Sequence, residues 1–427
     1  MKKFLWQPAN LTAALLAAIC LPVAAEASSL SLLMAGPWAA DHQTTTPPPS
    51  TSLTYPIVDT NQSSCYENVT TMSCPVSGAD YYGQDAQYKG TAPSYKDNKD
   101  GTITDNRTGL MWQQNPGEKK TATEGADGAS SCTDGGYTDW RLPTIKELYS
   151  LIEFSGTDAS GYDGTDTSIL VPFLDTTYFE FQYGDVYGDR IIDSQFLSST
   201  AVKSGTNNSN ASTFGVNFAD GRIKGYENDR TSFFVRYVRG GTNYGTNNFQ
   251  SNGDETVTDN ATGLMWMKND SQTGMEWKAA LAYCEDLSLA GHTDWRLPNA
   301  KELQSIVDYT RTPDTDSTAA IDPTYFNSTS ITNEAGETDW PYYWTSTTHG
   351  AWSGTGGWAV YIAFGRSLGY MNNSWIDVHG AGAQKSDFKT ANTSLYPNGY
   401  YPDAPQHDAA RVYNYVRCVR DADVSTD

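Results

Sequence analysis

Asp377 and His379 stand two positions apart, and His407 and Asp408 are adjacent, at the two ends of a long polar stretch running from DVHGAGAQKSDFK to PDAPQHDAAR. Carboxylates and imidazoles at such spacing can move protons or hydrogen-bond a polar ligand. Asp387 lies between them, and Trp352, Trp358 and Trp375 precede or flank the stretch. Aromatic faces beside Asp and His suit a neutral sugar ring. Trp352, Trp375, Asp377, His379, Asp387, His407 and Asp408 are therefore the candidate ligand-binding residues, while Trp358 fits a buried core equally well. A second set of acids, Asp158, Asp163 and Asp166 in TDASGYDGTD, could give oxygen ligands to calcium. DNKDGTITD (97–105) resembles part of a calcium loop. Yet Lys96 takes the place of the first ligand and the closing Glu is missing, so a hairpin turn is expected there.

Enzyme chemistry finds little support. The five histidines (42, 292, 349, 379 and 407) share no metal-ligand spacing, and neither GxSxG nor HExxH occurs. No CxxC is present, which removes zinc-ribbon and thiol-redox readings. With 50 acidic against 28 basic residues the net charge is -22, and no Lys/Arg cluster breaks it. Nucleic acid and anionic membranes are poor partners for such a chain. The expectation is a binding protein without a catalytic residue and without a cofactor other than calcium.

The elements that must position these residues come in two copies. DNRTGLMW (105–112) returns as DNATGLMW (259–266), and TDWRLPTIKEL (138–148) as TDWRLPNAKEL (293–303). FVRYVRG (234–240) returns as YVRCVRD (415–421), and ADGRIKGY (219–226) aligns loosely with AFGRSLGY (363–370). The order is kept, which marks a tandem duplication of 95–240 and 245–423. In each copy Trp-Arg-Leu-Pro leads into a capped amphipathic helix: Thr144 with Glu147, and Asn299 with Glu302, are N-cap and N3 pairs. Arg141 and Arg296 read as bracing residues beside Trp140 and Trp295, and Lys146 and Lys301 as solvated or capping. A further helix is expected in the second copy, opened by a Thr273–Glu276 capping box and stopped by Gly291. Its counterpart before Cys132 is shorter and Gly-rich, so a loop or degraded helix is expected. The remaining segments alternate aromatic and polar residues, as antiparallel strands do.

The N-terminus reads as a secretory signal over 1–27. Lys2 and Lys3 precede an apolar stretch from Leu11 to Ala25, and Ala25-Glu26-Ala27 gives a cleavage site. Residues 28–60 form a Ser/Thr/Pro-rich linker, and 61–94 a small segment in which Cys65 and Cys74 suggest a disulfide loop. Export and release are expected, with a secreted or cell-surface location and no membrane insertion.

TGLMW, TDWRLPxxKEL and YVRCVR resemble the C-terminal domain of Legionella collagen-like adhesins, the Lcl domain. W-R-L-P before an acidic helix is also similar to C-type-lectin-like and formylglycine-generating domains. The resemblance implies an α+β fold: two tandem C-type-lectin-like domains, each a small twisted antiparallel sheet with one or two helices and long loops. It also implies a disulfide between Cys284 and Cys418. In the first copy Tyr237 replaces the partner of Cys132, which leaves that thiol free, paired with Cys65 or Cys74, or bonded to another chain; Cys65–Cys74 with an unpaired Cys132 is favoured. The sulfated-polysaccharide binding of the eponymous adhesin is not carried over, because sulfate recognition wants basic clusters. A formylglycine-type enzyme would need a copper-binding thiol pair where structural cysteines are expected. The resulting expectation is an exported adhesion or binding protein for carbohydrate or another surface polymer, with the site in the second copy and the first as a spacer. The alternative is a self-associating subunit of an extracellular fibre.

Overall fold

Pro143 and Pro298 end extended segments, and the next residue of each copy caps a short helix. The computed structural model describes residues 53–422 apart from 186, 188–189 and 208–209, so the expected signal peptide and most of the linker lie outside the described residues. Helices α2 (Ile145–Ser150) and α4 (Ala300–Ser305) both carry the expected capping box, with Glu147 and Glu302 reaching back to the Thr144 and Asn299 amides at 2.8 and 2.9 Å.

The architecture is α+β, built mostly of small antiparallel sheets. Each copy has a four-stranded meander closed by its Val-Arg strand. Tyr95–Asp97, Thr102–Asp105, Met111–Gln113 and Val238–Arg239 form the first, and Phe249–Ser251, Thr256–Asp259, Leu264–Met267 and Val419–Asp421 the second. The DNKDG segment is a hairpin turn, in which Asp100 accepts from the Thr102 amide and hydroxyl. The larger sheet is shared. The first copy gives β1 (Gln195–Ala201), β2 (Ser212–Asn217) and β3 (Arg222–Glu227). The second gives β4 (Tyr342–His349), β5 (Trp358–Ala363) and β6 (Gln384–Phe388), in the spatial order β4-β5-β6-β3-β2-β1. One pair, Gln384 opposite Ile223, joins the copies before β3 and β6 diverge.

On one face, α2 and α4 pack against the sheet and each other. A core of Leu148, Ile152, Phe214, Ile223 and neighbours takes in Ala300 and Val360 of the second copy. Tyr149 Oη donates to Gln384 across the seam at 3.2 Å. On the other face, α1 (Ala122–Gly128) covers one end of the sheet and α3 (Trp277–Glu285) the other, leaving the middle open. Residues 54–62 lace both copies: Thr60 O accepts from Phe154 N at 2.6 Å, and Gln62 exchanges two bonds with the backbone of Thr348. Cys65–Cys74 and Cys284–Cys418 are disulfides, and Cys132 is a free thiol.

Four sequence expectations are corrected. Lys146 and Lys301 are not solvated. Lys301 Nζ donates to Ser150 O at the end of α2 (2.9 Å) and Lys146 Nζ to Ser305 O at the end of α4 (2.6 Å), so each copy's lysine closes the other copy's helix. Such carbonyls need a donor, and an ammonium group suits that end of the helix dipole. The cap of α3 is Glu276 itself, without a side-chain cap bond; Thr273 turns to Ser271 O, and the helix ends at Glu285, well before Gly291. A capping box does appear in the first copy, from Thr121 to Glu124. Finally, AFGRSLGY does not repeat the role of ADGRIKGY. Leu368–Met371 leaves the shared sheet to pair with Ser374–Asp377, and β6, from the stretch without a counterpart in the first copy, fills the vacated place.

Candidate functional site

Alternation along β3 sends Ile223 into the helix-side core and Arg222 and Lys224 to the opposite face. Where β3 and β6 part, these side chains and Lys385 floor a cleft of about 1190 Å3. Its walls are the 158–164 loop of the first copy and the 401–408 loop of the second, with Trp358, Tyr401 and Tyr226 supplying aromatic surface. A cleft of this size holds an extended ligand of several rings.

The floor carries an interlocked set of charges. Arg222 pairs with Asp158 at 2.7 Å and Lys224 with Asp220 at 2.5 Å, while Lys385 pairs with Asp408, which also bonds His379 Nε2 at 2.8 Å. Against the cost of burial, the Arg222 guanidinium holds Asp158 down to about 2; Lys385 and His379 likewise hold Asp408 well below the usual carboxylate range. Burial pushes His349 and His379 down to about 4, helped by Arg222 and Lys385 respectively, so both imidazoles are neutral at pH 7. His349 is fixed by Ser386 Oγ and Asp220 O. Burial also lowers Lys385 to about 8, against the pull of Asp408.

The expected site residues divide among three places. His379 and Asp408 line the cleft; Trp352 does not, but stands 38% exposed and edge-on to the lining residue Tyr162 at 5.0 Å. Trp375 and His407 are not among the residues lining the cleft; they meet Tyr370 and Tyr400 in an aromatic cluster. Asp377 and Asp387 are enclosed. Asp377 accepts from the Ser367 and Gly380 amides, and Asp387 from Tyr401 and Asn414; burial raises them to about 7 and about 6. The three acids expected to bind calcium are not brought to one point. Asp158 is committed to Arg222, Asp163 borders the cleft, and Asp166 caps the turn at Thr167–Ile169 through Ser168. Among the described residues no group of three His, Cys, Asp or Glu is placed to hold a metal ion.

Sequence reasoning missed Arg222, Lys224, Asp220, Lys385 and His349. The signal for the first three is charge alternating with Ile223 and Gly225 in ADGRIKGY, the pattern of a strand with one polar face.

The fold and cleft define a duplicated α+β module whose ligand-sized groove sits at the seam of its halves. The Lcl C-terminal domain pattern matches residues 101–239 and again 255–379. The chain belongs to the Lcl C-terminal domain family, with two copies in tandem. The second match stops at His379, so β6 and the 401–408 wall follow it. No curated protein and no solved structure matches the chain.

Proposed function

We propose that this protein is an exported binding or adhesion protein that holds an extracellular polymer, carbohydrate above all, in the seam cleft. The observation that carries the reading is the cleft itself: a groove of about 1190 Å3 whose charged floor comes from both copies. Neither copy alone has it, since Arg222, Lys224 and Asp158 belong to the first and Lys385, His379 and Asp408 to the second. The first copy is then half of the site rather than a spacer. Two disulfides fit an oxidising location, and no described helix is long and apolar enough to cross a membrane. The similarity to C-type-lectin-like domains adds only an analogy of fold.

Binding rather than catalysis is the better account of the floor. Asp158 and Asp408 are locked as anions by cations, so neither is a proton donor near neutral pH. Cys284 and Cys418 are bonded to each other, which speaks against their use as a copper-binding thiol pair. The test is affinity electrophoresis of the full chain in gels containing soluble polysaccharides, beside the variant Ser160→Trp. Ser160 is exposed and borders the cleft, so an indole there obstructs the groove beside Arg222 without entering the core. Retardation by at least one polymer, lost in Ser160→Trp with an unchanged melting temperature, is the expected result. Retardation that the variant leaves intact places binding elsewhere and ends the cleft reading.

A further inference from the structure

Four buried polar atoms without a hydrogen-bond partner border this one cleft: Asn207 Oδ1, Asp220 Oδ1, the Tyr226 hydroxyl and His379 Nδ1. Each belongs to a group whose other side is occupied. Asp220 Oδ2 takes Lys224, while Oδ1 takes nothing. His379 Nε2 faces Asp408 and Lys385 at 2.8 Å each, while Nδ1 is empty. Asn207 donates its amide to Glu227 at 2.6 Å and leaves its carbonyl unused. Asn217 beside Tyr226 gives one amide hydrogen to Ile192 O and accepts the Ala219 amide on its carbonyl, and it makes no hydrogen bond of good geometry to the Tyr226 hydroxyl. Polar atoms removed from water are normally paired, and leaving one unpaired is costly. Four together around one cleft mark a place where hydrogen-bonding groups are due.

The chemistry of the missing groups follows from the charges around them. The lining holds six cationic and seven acidic side chains, and both histidines are neutral. On the floor, Arg222, Lys224 and Lys385 each already face a carboxylate. A polyanion would have to break those pairs; a polycation would meet three ammonium or guanidinium groups. Hydroxyls do neither, and they can donate to Asp220 and Asn207 while accepting from Tyr226. The four atoms are closed off from solvent although their residues line the cleft, so contact needs a side-chain rotation or one bridging water.

The geometry points to an uncharged, hydroxyl-rich polysaccharide as the ligand of the seam cleft, gripped through Asn207, Asp220, Tyr226 and His379. This inference rests on the cleft reading above, and its test separates the two. Tyr226→Phe removes only a hydroxyl that has no partner, so a purely structural role predicts unchanged or improved stability and unchanged binding. Full-length wild type, Tyr226→Phe and Ser160→Trp are titrated with neutral polymers (dextran, laminarin, galactan) and anionic ones (alginate, dextran sulfate) at low and high salt. The expected result is neutral-polymer binding that is insensitive to salt and about 5- to 10-fold weaker in Tyr226→Phe, at an unchanged melting temperature. Salt-sensitive binding of the anionic polymers, lost in Ser160→Trp, keeps the cleft and overturns the neutral ligand. Neutral binding untouched by Tyr226→Phe leaves the orphan atoms to ordered water and also overturns the inference. Binding to none of the five polymers overturns both.

Discussion

Arg296 grips Glu302 with two bonds of 2.6 and 2.8 Å, and Arg141 holds Glu147 in the same way, so the repeated W-R-L-P-x-x-K-E motif acts through enclosed charges rather than through a ligand. Asp85 is the contrasting case: a buried carboxyl with no cation, accepting only from the Thr60 and Thr347 hydroxyls at 2.8 and 2.6 Å. Burial pushes it up to about 7. Between about pH 4 and pH 7 the native chain therefore holds a proton that the unfolded chain has released, and stability falls as pH rises through that window. His349 and His379 act in the opposite sense. Their folded values are depressed to about 4, so their contribution is present above about pH 6.5 and is lost as pH falls. The two effects overlap, and the whole-protein curve conceals both. Asp85→Asn isolates one of them: relative to wild type it should gain roughly 2 kcal/mol between pH 5 and pH 8, because only wild type acquires a buried charge. Thermal denaturation of the pair at both pH values measures this; a difference that does not change with pH would show that Asp85 ionises freely in the native state.

Elements diverge between the copies where the tie between helix and terminal strand changes. In the second copy, α3 is fastened by Cys284–Cys418, which closes a sequence separation of 134. In the first, Tyr237 stands where Cys418 would be, and its hydroxyl donates to Gly125 O of α1 at 2.7 Å. The glycines of α1 now have a reason. A Cβ on Gly128 would lie 2.3 Å from that hydroxyl, and one on Gly125 would lie 2.7 Å from Leu197. The segment that read as degraded is a helix cut down to admit a tyrosine. Tyr237→Phe should cost about 1 kcal/mol, since a buried carbonyl loses its donor. Cys284→Ala with Cys418→Ala should cost about 3–5 kcal/mol, from the longer loop released. Urea titration of the three proteins compares them directly, and a Tyr237→Phe loss as large as that of the double cysteine variant would contradict this ranking.

At the scale of the whole molecule, the capped helices, the hairpin turns and the Val-Arg strands were legible, because each rests on a local pattern: a Thr or Asn three residues before Glu, or a turn between alternating runs. The joint between the copies was not. Nothing local marks Gln384 as the partner of Ile223, or tells Lys301 to reach Ser150, because both contacts link residues more than 150 positions apart. The cleft was half legible for the same reason. His379 and Asp408 stood out by residue type, but Arg222 and Lys224 acquire meaning only once β6 lies beside β3. This joint carries the last prediction. Duplicated domains on a linker melt separately, each with its own core. Here Ala300 and Val360 of the second copy lie in the first copy's core, and Phe214 packs edge-on against Tyr309 at 5.0 Å. Lys146 and Lys301 would each lose the helix-end carbonyl they serve if the halves parted, and that helix end would lose its ammonium donor. Calorimetry of the full chain should give one cooperative transition with equal calorimetric and van't Hoff enthalpies. Residues 245–423 expressed alone should be far less stable and quickly cleaved by protease, even with Cys284–Cys418 formed. Two resolved transitions, or an isolated second copy as stable as the whole, would mean that the shared sheet is a contact between independent domains, and a binding site built from both would then open whenever they separate.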